Sequence, residues 1–305
     1  MKFKIWWKEY LKYYVQPVSK ITTLSKYREI GGKHLVPELG EYDLDVIKTQ
    51  KLRRLAKHLV EKKLANSTIN CIISILKTSL KQAVKVGIAK KEYTACIIRF
   101  KEKERKAVCF TQEEQKKIEG FALRELKHKP FGIIVCLYTG IRIGELLALQ
   151  WEDVDFKNGL LSVNKTAHDV WLDGKYKKVC DAPKTSTSDR IIPIPSRLMT
   201  MFELLREKSI KYSKYVISDN KKEGVGSRTF QKYFDKVLKR LDIPHRTVHA
   251  LRHTFATRAL ECAMDVKTLS EILGHANATI TLNRYAHSLI NHKVDMMNKV
   301  GHLLF

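Results

Sequence analysis

The chain has 305 residues, 44% of them hydrophobic, and carries 57 Lys plus Arg against 32 Asp plus Glu, a formal net charge of +25. That length suits about two domains with ample core, and no apolar run approaches the roughly 20 residues needed to span a membrane. The basic start, Met1-Lys2-Phe3-Lys4, is not followed by the apolar core of a signal peptide, so an intracellular, cytoplasmic protein is expected.

The positive excess runs along the whole chain. Residues 1–105 carry 24 basic and 10 acidic side chains, and residues 106–305 carry 33 and 22. An extended polyanion that touches both parts is the natural partner, and phosphate contacts explain such an excess better than solubility alone. The six cysteines, at 71, 96, 109, 136, 180 and 262, show no Cys-x-x-Cys spacing. They read as reduced thiols, mostly buried, with no zinc site or disulfide framework.

In chain order, the first hundred residues are mainly helical by pattern. Helices are expected from Trp6-Trp7 to Tyr14, from about Ser19, over Leu44 to Lys63 and over Ser67 to Val86. In the last, Ile69, Ile72, Ile73, Ile75, Leu76, Leu80, Ala83 and Val84 form a core stripe, with Asn66 or Ser67 available as a cap. Lys77, Lys81 and Lys85 recur every four residues on another face, which is either simply solvated or turned toward DNA. The stretch from Phe100 to Ala107 is charged and lacks apolar periodicity. Residues 101–107 are therefore expected to link a domain over 1–100 to one over 108–305.

Beyond that linker, Thr111-Gln112-Glu113-Glu114 has the character of a capping box opening a helix. A second helix covers Phe131 to Tyr138, and a third follows Thr139-Gly140 with Ile143, Leu146, Leu147 and Leu149. β-prone runs come at Leu160 to Asn164, around Tyr176 to Cys180 and at Arg190 to Ile194, separated by Asp173-Gly174 and Pro183-Lys184-Thr185-Ser186. Ala167 to Lys178 reads as an extended hairpin with no purpose evident in the sequence. Helices then resume to the end. The expected fold class is mainly α with a small antiparallel β-sheet.

The late segments hold the most chemistry: His249-Ala250-Leu251-Arg252-His253, then Leu273-Gly274-His275, then Tyr285. A tyrosine attacking a DNA phosphodiester needs positive charge around the pentacoordinate transition state. Arginine supplies planar, permanently charged donors for two oxygens at once, and histidine moves protons near neutral pH. Taken singly, each residue has a structural reading: Tyr285 as a helix-surface aromatic, His249 as a satisfied buried donor.

Two earlier segments complete an ordered set: Thr139-Gly140-Ile141-Arg142-Ile143-Gly144-Glu145 and Pro183-Lys184-Thr185. Together the three closely resemble the tyrosine recombinase, or phage integrase, family. The resemblance covers nearly the whole chain, since Val36-Pro37-Glu38-Leu39-Gly40 and the run from Ser67 to Ala83 are of the integrase type. It implies a helical core-binding (SAM-like) domain and a catalytic domain forming a clamp around DNA, in an integrase of a phage or integrative mobile element.

By that resemblance Arg142 and Arg252 match the two arginines that hold the non-bridging phosphate oxygens; the structural alternative for Arg142 is a salt bridge to Glu145 or Glu152. Lys184 matches the β-hairpin lysine that protonates the departing 5′ oxygen, with Lys175, Lys177 and Lys178 as neighbouring alternatives. His249 matches the histidine that assists proton transfer at the tyrosine, and His275 the residue that hydrogen-bonds the phosphate. Tyr285 matches the nucleophile, which forms a 3′-phosphotyrosyl link; its ordinary pKa near 10 requires help in losing the proton. His253 stays outside the catalytic set. No cofactor or metal is implied.

The implied partners are double-stranded DNA at core recombination sites, other copies in a homotetramer on paired sites, and accessory DNA-bending or directionality factors, in a bacterial host. The tail after Tyr285, with Leu289, Val294, Met296, Met297 and Val300, either packs on its own chain or docks on a neighbouring subunit. The core-binding-like region begins almost at Met1, so either no arm-site domain is needed or the sequence is part of a longer chain. Competing functions on the same scaffold are a non-catalytic DNA-binding factor and a type IB topoisomerase.

Overall fold

A computed structural model describes residues 1–97, 99–102, 108–125, 127–172, 175–181, 189–209, 213–219, 224–275 and 277–285, with 294, 297, 298, 300 and 301 beyond. Lys184 and residues 103–107 of the expected linker lie outside the described residues. The chain divides into two compact units, Met1–Arg105 and Lys106–Phe305.

The first unit is helical. It runs through α1 (Phe3–Glu9), a wide turn at Tyr10–Val15, α2 (Ile21–Ile30), a second wide turn at Gly31–Leu35 and the short α3 (Val36–Leu39), then α4 (Thr49–Glu61) and α5 (Asn66–Lys85). The helix expected from Leu44 to Lys63 is broken. Leu44–Val46 is a separate 3₁₀ turn, because Ile47 leaves helical backbone with ψ at 71° and α4 starts only at Thr49. On α5 the stripe Ile69, Ile72, Ile75, Leu76, Leu80 and Ala83 is buried, while Lys81 and Lys85 are exposed and Lys77 is half-buried. Period 3.6 thus sorts one face into the core and another into solvent. The Trp6 indole N–H donates to Ser79 Oγ at 3.0 Å, tying α1 to α5 inside that core.

The second unit begins with α6 (Gln112–Glu125), α7 (His128–Thr139) and α8 (Ile143–Ala148). The capping box forms: the Thr111 hydroxyl accepts from the Glu114 N–H at 3.1 Å, and the Glu114 carboxylate accepts from the Thr111 N–H at 2.8 Å. Helix α7 is buried all round, with Phe131, Ile133, Ile134, Val135, Cys136 and Leu137 in the core. An apolar helix of this kind belongs at the centre of a domain.

The strands are β1 (Val154–Asp155), β2 (Leu160–Val163), β3 (Thr166–Leu172), β4 (Lys175–Asp181) and β5 (Arg190–Pro193). They form two antiparallel sheets, β1-β2-β5 and β3-β4. β2 and β5 pair with Leu161 opposite Ile192, both buried, whereas Ile191 faces outward. The β3-β4 ribbon accounts for the hairpin that the sequence left without a purpose. Its Asp169 accepts from Ser227 Oγ at 2.8 Å and from the Arg228 N–H at 3.2 Å, and its Lys178 donates to the Leu147 carbonyl at 2.7 Å. The ribbon therefore fastens the C-terminal end of α8 to the start of α10.

Helices α9 (Ser196–Ser209), α10 (Ser227–Arg240), α11 (His249–Glu261), α12 (Val266–Leu273) and α13 (Ala278–Tyr285) complete the unit. In the tail, Val294, Met297 and Val300 are exposed, and Leu289 and Met296 lie outside the described residues. Of the six cysteines only Cys136 is buried, fewer than expected: Cys71 and Cys96 pack at the edge of the first unit's core, Cys109 is half-buried beside the Thr257 hydroxyl, and Cys180 and Cys262 are exposed. Among the described residues no helix is long and apolar enough to cross a membrane.

Candidate active site

The site is organised by the end of helix α12. Its C-cap, Gly274, takes left-handed backbone with φ +63°, a conformation that favours glycine. The turn uses two of the late carbonyls internally: the His275 N–H donates to Ser270 O and the Gly274 N–H to Glu271 O, both at 3.0 Å. The next three carbonyls each receive an arginine. Arg190 Nε donates to Ile272 O at 2.6 Å, Arg252 Nη2 to Leu273 O at 2.7 Å, and Arg142 Nη2 to Gly274 O at 2.9 Å. Carbonyls at a helix C-terminus lack intrahelical donors and carry the negative end of the helix dipole, which stabilises each nearby cation by about 0.3–1 kcal/mol. Three like charges are thereby held at one helix end.

Arg252 sits on α11 and is only 4% exposed. Its Nη1 donates to the Gly140 carbonyl at 2.8 Å, and its Nη2 lies 2.9 Å from His275 Nε2. Gly140 is the left-handed C-cap of α7, and a Cβ there would lie 2.4 Å from the Phe255 ring. Both carbonyls and the ring nitrogen are neutral, so they fix the guanidinium without cancelling its charge. A permanently protonated guanidinium can only donate, so His275 Nε2 accepts and its proton resides on Nδ1. That N–H donates to Thr281 Oγ1 at 2.7 Å, linking His275 to α13, the helix that ends at Tyr285.

Arg142 is the N-cap of α8, its side chain 34% exposed. The salt bridge to Glu145 that a structural role requires is present: Arg142 Nη1 donates to Glu145 Oε1 at 2.7 Å, and the Arg142 N–H donates to Oε2 at 2.9 Å. Glu145 is not at the surface, however, with its side chain only 6% exposed, and it also accepts from Arg190 at 2.9 and 3.2 Å. Burial alone would push the Glu145 carboxyl up. The Arg190 hydrogen bonds and charge, with the Arg142 N–H and charge, hold it below its ordinary value.

The fold thus brings Arg142, Arg252 and His275 together. His249 lies one turn before Arg252 on the same face of α11, is exposed, and has its ring 6.1 Å from that of His253. Tyr285 closes α13; its side chain, like Lys184, is outside what the structure describes. Of the alternatives to Lys184, Lys178 is engaged by Leu147 O and lies over the Tyr215 ring. Sequence reasoning gave no role to Arg190 or Thr281 and weighed Glu145 only as a surface partner. The three-residue spacing of Arg142 and Glu145 at a helix start was a usable signal, whereas nothing in the sequence links Arg190 to α12. Among the described residues no group of three His, Cys, Asp or Glu side chains is placed to hold a metal ion.

Two family descriptions match the chain: "Phage integrase family" over residues 109–292 and "Phage integrase, N-terminal SAM-like domain" over residues 2–60. The chain belongs to the phage integrase family, and it is a tyrosine-type site-specific recombinase, an enzyme that breaks and rejoins DNA strands. Among its relatives is a XerC-like tyrosine recombinase of Caldanaerobacter subterraneus subsp. tengcongensis, 32% identical over 87% of this chain and 74% of the relative. The ICEBs1 integrase of Bacillus subtilis is 29% identical over 94% of this chain and 79% of its own. In structure, the Tn1549 transposon integrase in complex with a circular intermediate DNA superposes with a TM-score of 0.81 at 22% identity, covering 98% of this chain and 99% of that one. A lambda integrase dimer bound to a core site gives 0.72 at 21%, over 93% and 95%. At these identities the likeness shows the fold.

Proposed function

We propose that the enzyme integrates or excises a mobile element by cutting double-stranded DNA at core sites with Tyr285. In this reading Tyr285 Oη attacks the scissile phosphorus, a bond from tyrosine to the 3′ phosphate forms, and the bond to the 5′ oxygen breaks. His249 assists removal of the tyrosine proton, and Lys184 gives a proton to the departing oxygen. Arg142 and Arg252 bind the non-bridging oxygens, supplying charge where it accumulates in the transition state, and His275 hydrogen-bonds the phosphate once its Nε2 takes up a proton and gives up the Arg252 contact. The 5′ hydroxyl of a second strand then attacks the phosphotyrosine, so the bond energy is kept and strands are exchanged.

The observation that carries this reading is the gathering of Arg142, Arg252 and His275 around one helix end, with His275 bonded to the helix that Tyr285 closes. Residues 1–100 act as the core-binding domain and 108–305 as the catalytic domain. Four copies work on two paired sites inside a bacterial cell, with accessory DNA-bending or directionality factors. The test is a duplex nicked near the cleavage position, which traps the covalent species. Wild-type protein is expected to form an adduct that Tyr285→Phe does not; no adduct with wild type, or an undiminished one with the variant, rules the reading out.

A further inference from the structure

We propose that Arg190 is a positioning residue for Arg142, completing a closed ring of contacts through Glu145 and the end of α12 that leaves the Arg142 charge available to a phosphate. The inference rests on the reading of Arg142 as a phosphate ligand.

The ring has four members. Arg190, the first residue of β5, engages both oxygens of Glu145, through Nη2 to Oε2 at 2.9 Å and Nη1 to Oε1 at 3.2 Å. Glu145 binds Arg142 by both its side chain and its backbone N–H. Arg142 reaches the Gly274 carbonyl, and Arg190 Nε returns to Ile272 O two residues earlier on the same helix end. Gly274 is packed against the guanidinium: a Cβ there would lie 2.9 Å from Arg190 Nη1. Both Nη atoms of Arg190 are committed to the Glu145 carboxylate, which matches its charge, whereas the Arg142 side chain is 34% exposed.

Charge counting supplies the function. With Arg142 as its sole cation, the buried Glu145 carboxylate would neutralise that arginine and compete with any phosphate for it. A second guanidinium in bidentate contact matches the carboxylate, so Arg142, Arg190 and Glu145 together retain one positive charge, and it is borne where the group is accessible. Orientation follows as well, because a carboxylate bonded on both oxygens from two sides cannot rotate and fixes the plane of the Arg142 fork.

The test measures covalent adduct formation on the nicked duplex, binding of intact site DNA, and thermal unfolding. Arg190→Met is expected to slow adduct formation on the order of a hundredfold with DNA binding unchanged, the scale of losing one transition-state donor. Adding Glu145→Gln to that variant removes the competing charge, so the double variant is expected to regain about tenfold, a coupling that loss of packing would not produce. Arg190→Lys keeps the charge but not the bidentate fork, and is expected to lose about tenfold, which keeps the idea testable if Arg190→Met fails to fold. Wild-type rates in Arg190→Lys, or a double variant no faster than Arg190→Met, overturn the proposal. Arg142→Ala is the control: if it cleaves as wild type, the reading of Arg142 as a phosphate ligand fails instead.

Discussion

The two units use positive charge differently. On α5 the cations are lysines, with Lys81 and Lys85 exposed, while at the end of α12 they are arginines, with Arg190 and Arg252 buried and each tied to a backbone carbonyl. An exposed ammonium keeps its hydration and is screened by salt. A buried guanidinium bonded to fixed acceptors has already met its desolvation cost in folding and needs no reorganisation when a phosphate arrives. The first arrangement suits holding a duplex, and the second suits chemistry on one phosphate.

Several changes can break or sharpen that contrast. Arg252→Ala has the largest expected effect: adduct formation falls on the order of a hundredfold to a thousandfold while site binding changes little. The same change leaves the Gly140 and Leu273 carbonyls without a donor, so a stability loss of about 1–3 kcal/mol in chemical denaturation is expected. A parallel fall in binding and cleavage would erase the distinction between the two kinds of cation.

Gly274→Ala comes next. Left-handed backbone and the close approach of Arg190 together should cost about 1–3 kcal/mol, read as a lowered melting temperature, with slower cleavage because three arginines share that helix end. Unchanged melting would show that the turn relaxes easily.

Acid should act on the arginine region through Glu145. Its folded pKa lies below its ordinary value of 4.5, so its contribution to stability is complete above that value and is lost as pH falls below it. Thermal unfolding from pH 7 to 3 should therefore show a steeper acid limb in the wild type than in Glu145→Gln; equal limbs would contradict the assigned partners.

The smallest effect belongs to α5. If its lysine face meets DNA, Lys81→Ala or Lys85→Ala should reduce the slope of log affinity against log salt by about 0.9 each, with cleavage at saturating DNA unchanged. An unchanged slope would mark that face as merely solvated.

Much of this was legible in the sequence because it is written locally. The α5 stripe follows period 3.6, the Thr111 and Glu114 box is four residues long, and the Arg142, Arg252 and His275 segments carry short motifs. What escaped depends on distance along the chain. Arg190 meets Glu145 across 45 residues and Ile272 across 82, and no periodicity encodes such a pair. The break at Ile47 escaped for the opposite reason: apolar spacing continued across it while the backbone did not.

Charge stabilisation at the scissile phosphate is tested most directly by replacing that phosphate with a neutral methylphosphonate and comparing wild-type and Arg252→Ala cleavage. On the ordinary phosphodiester the two should differ by at least about a hundredfold. On the neutral linkage, which lacks one charged oxygen, the difference should shrink to near unity, and a difference that persists undiminished would contradict the role given to Arg252.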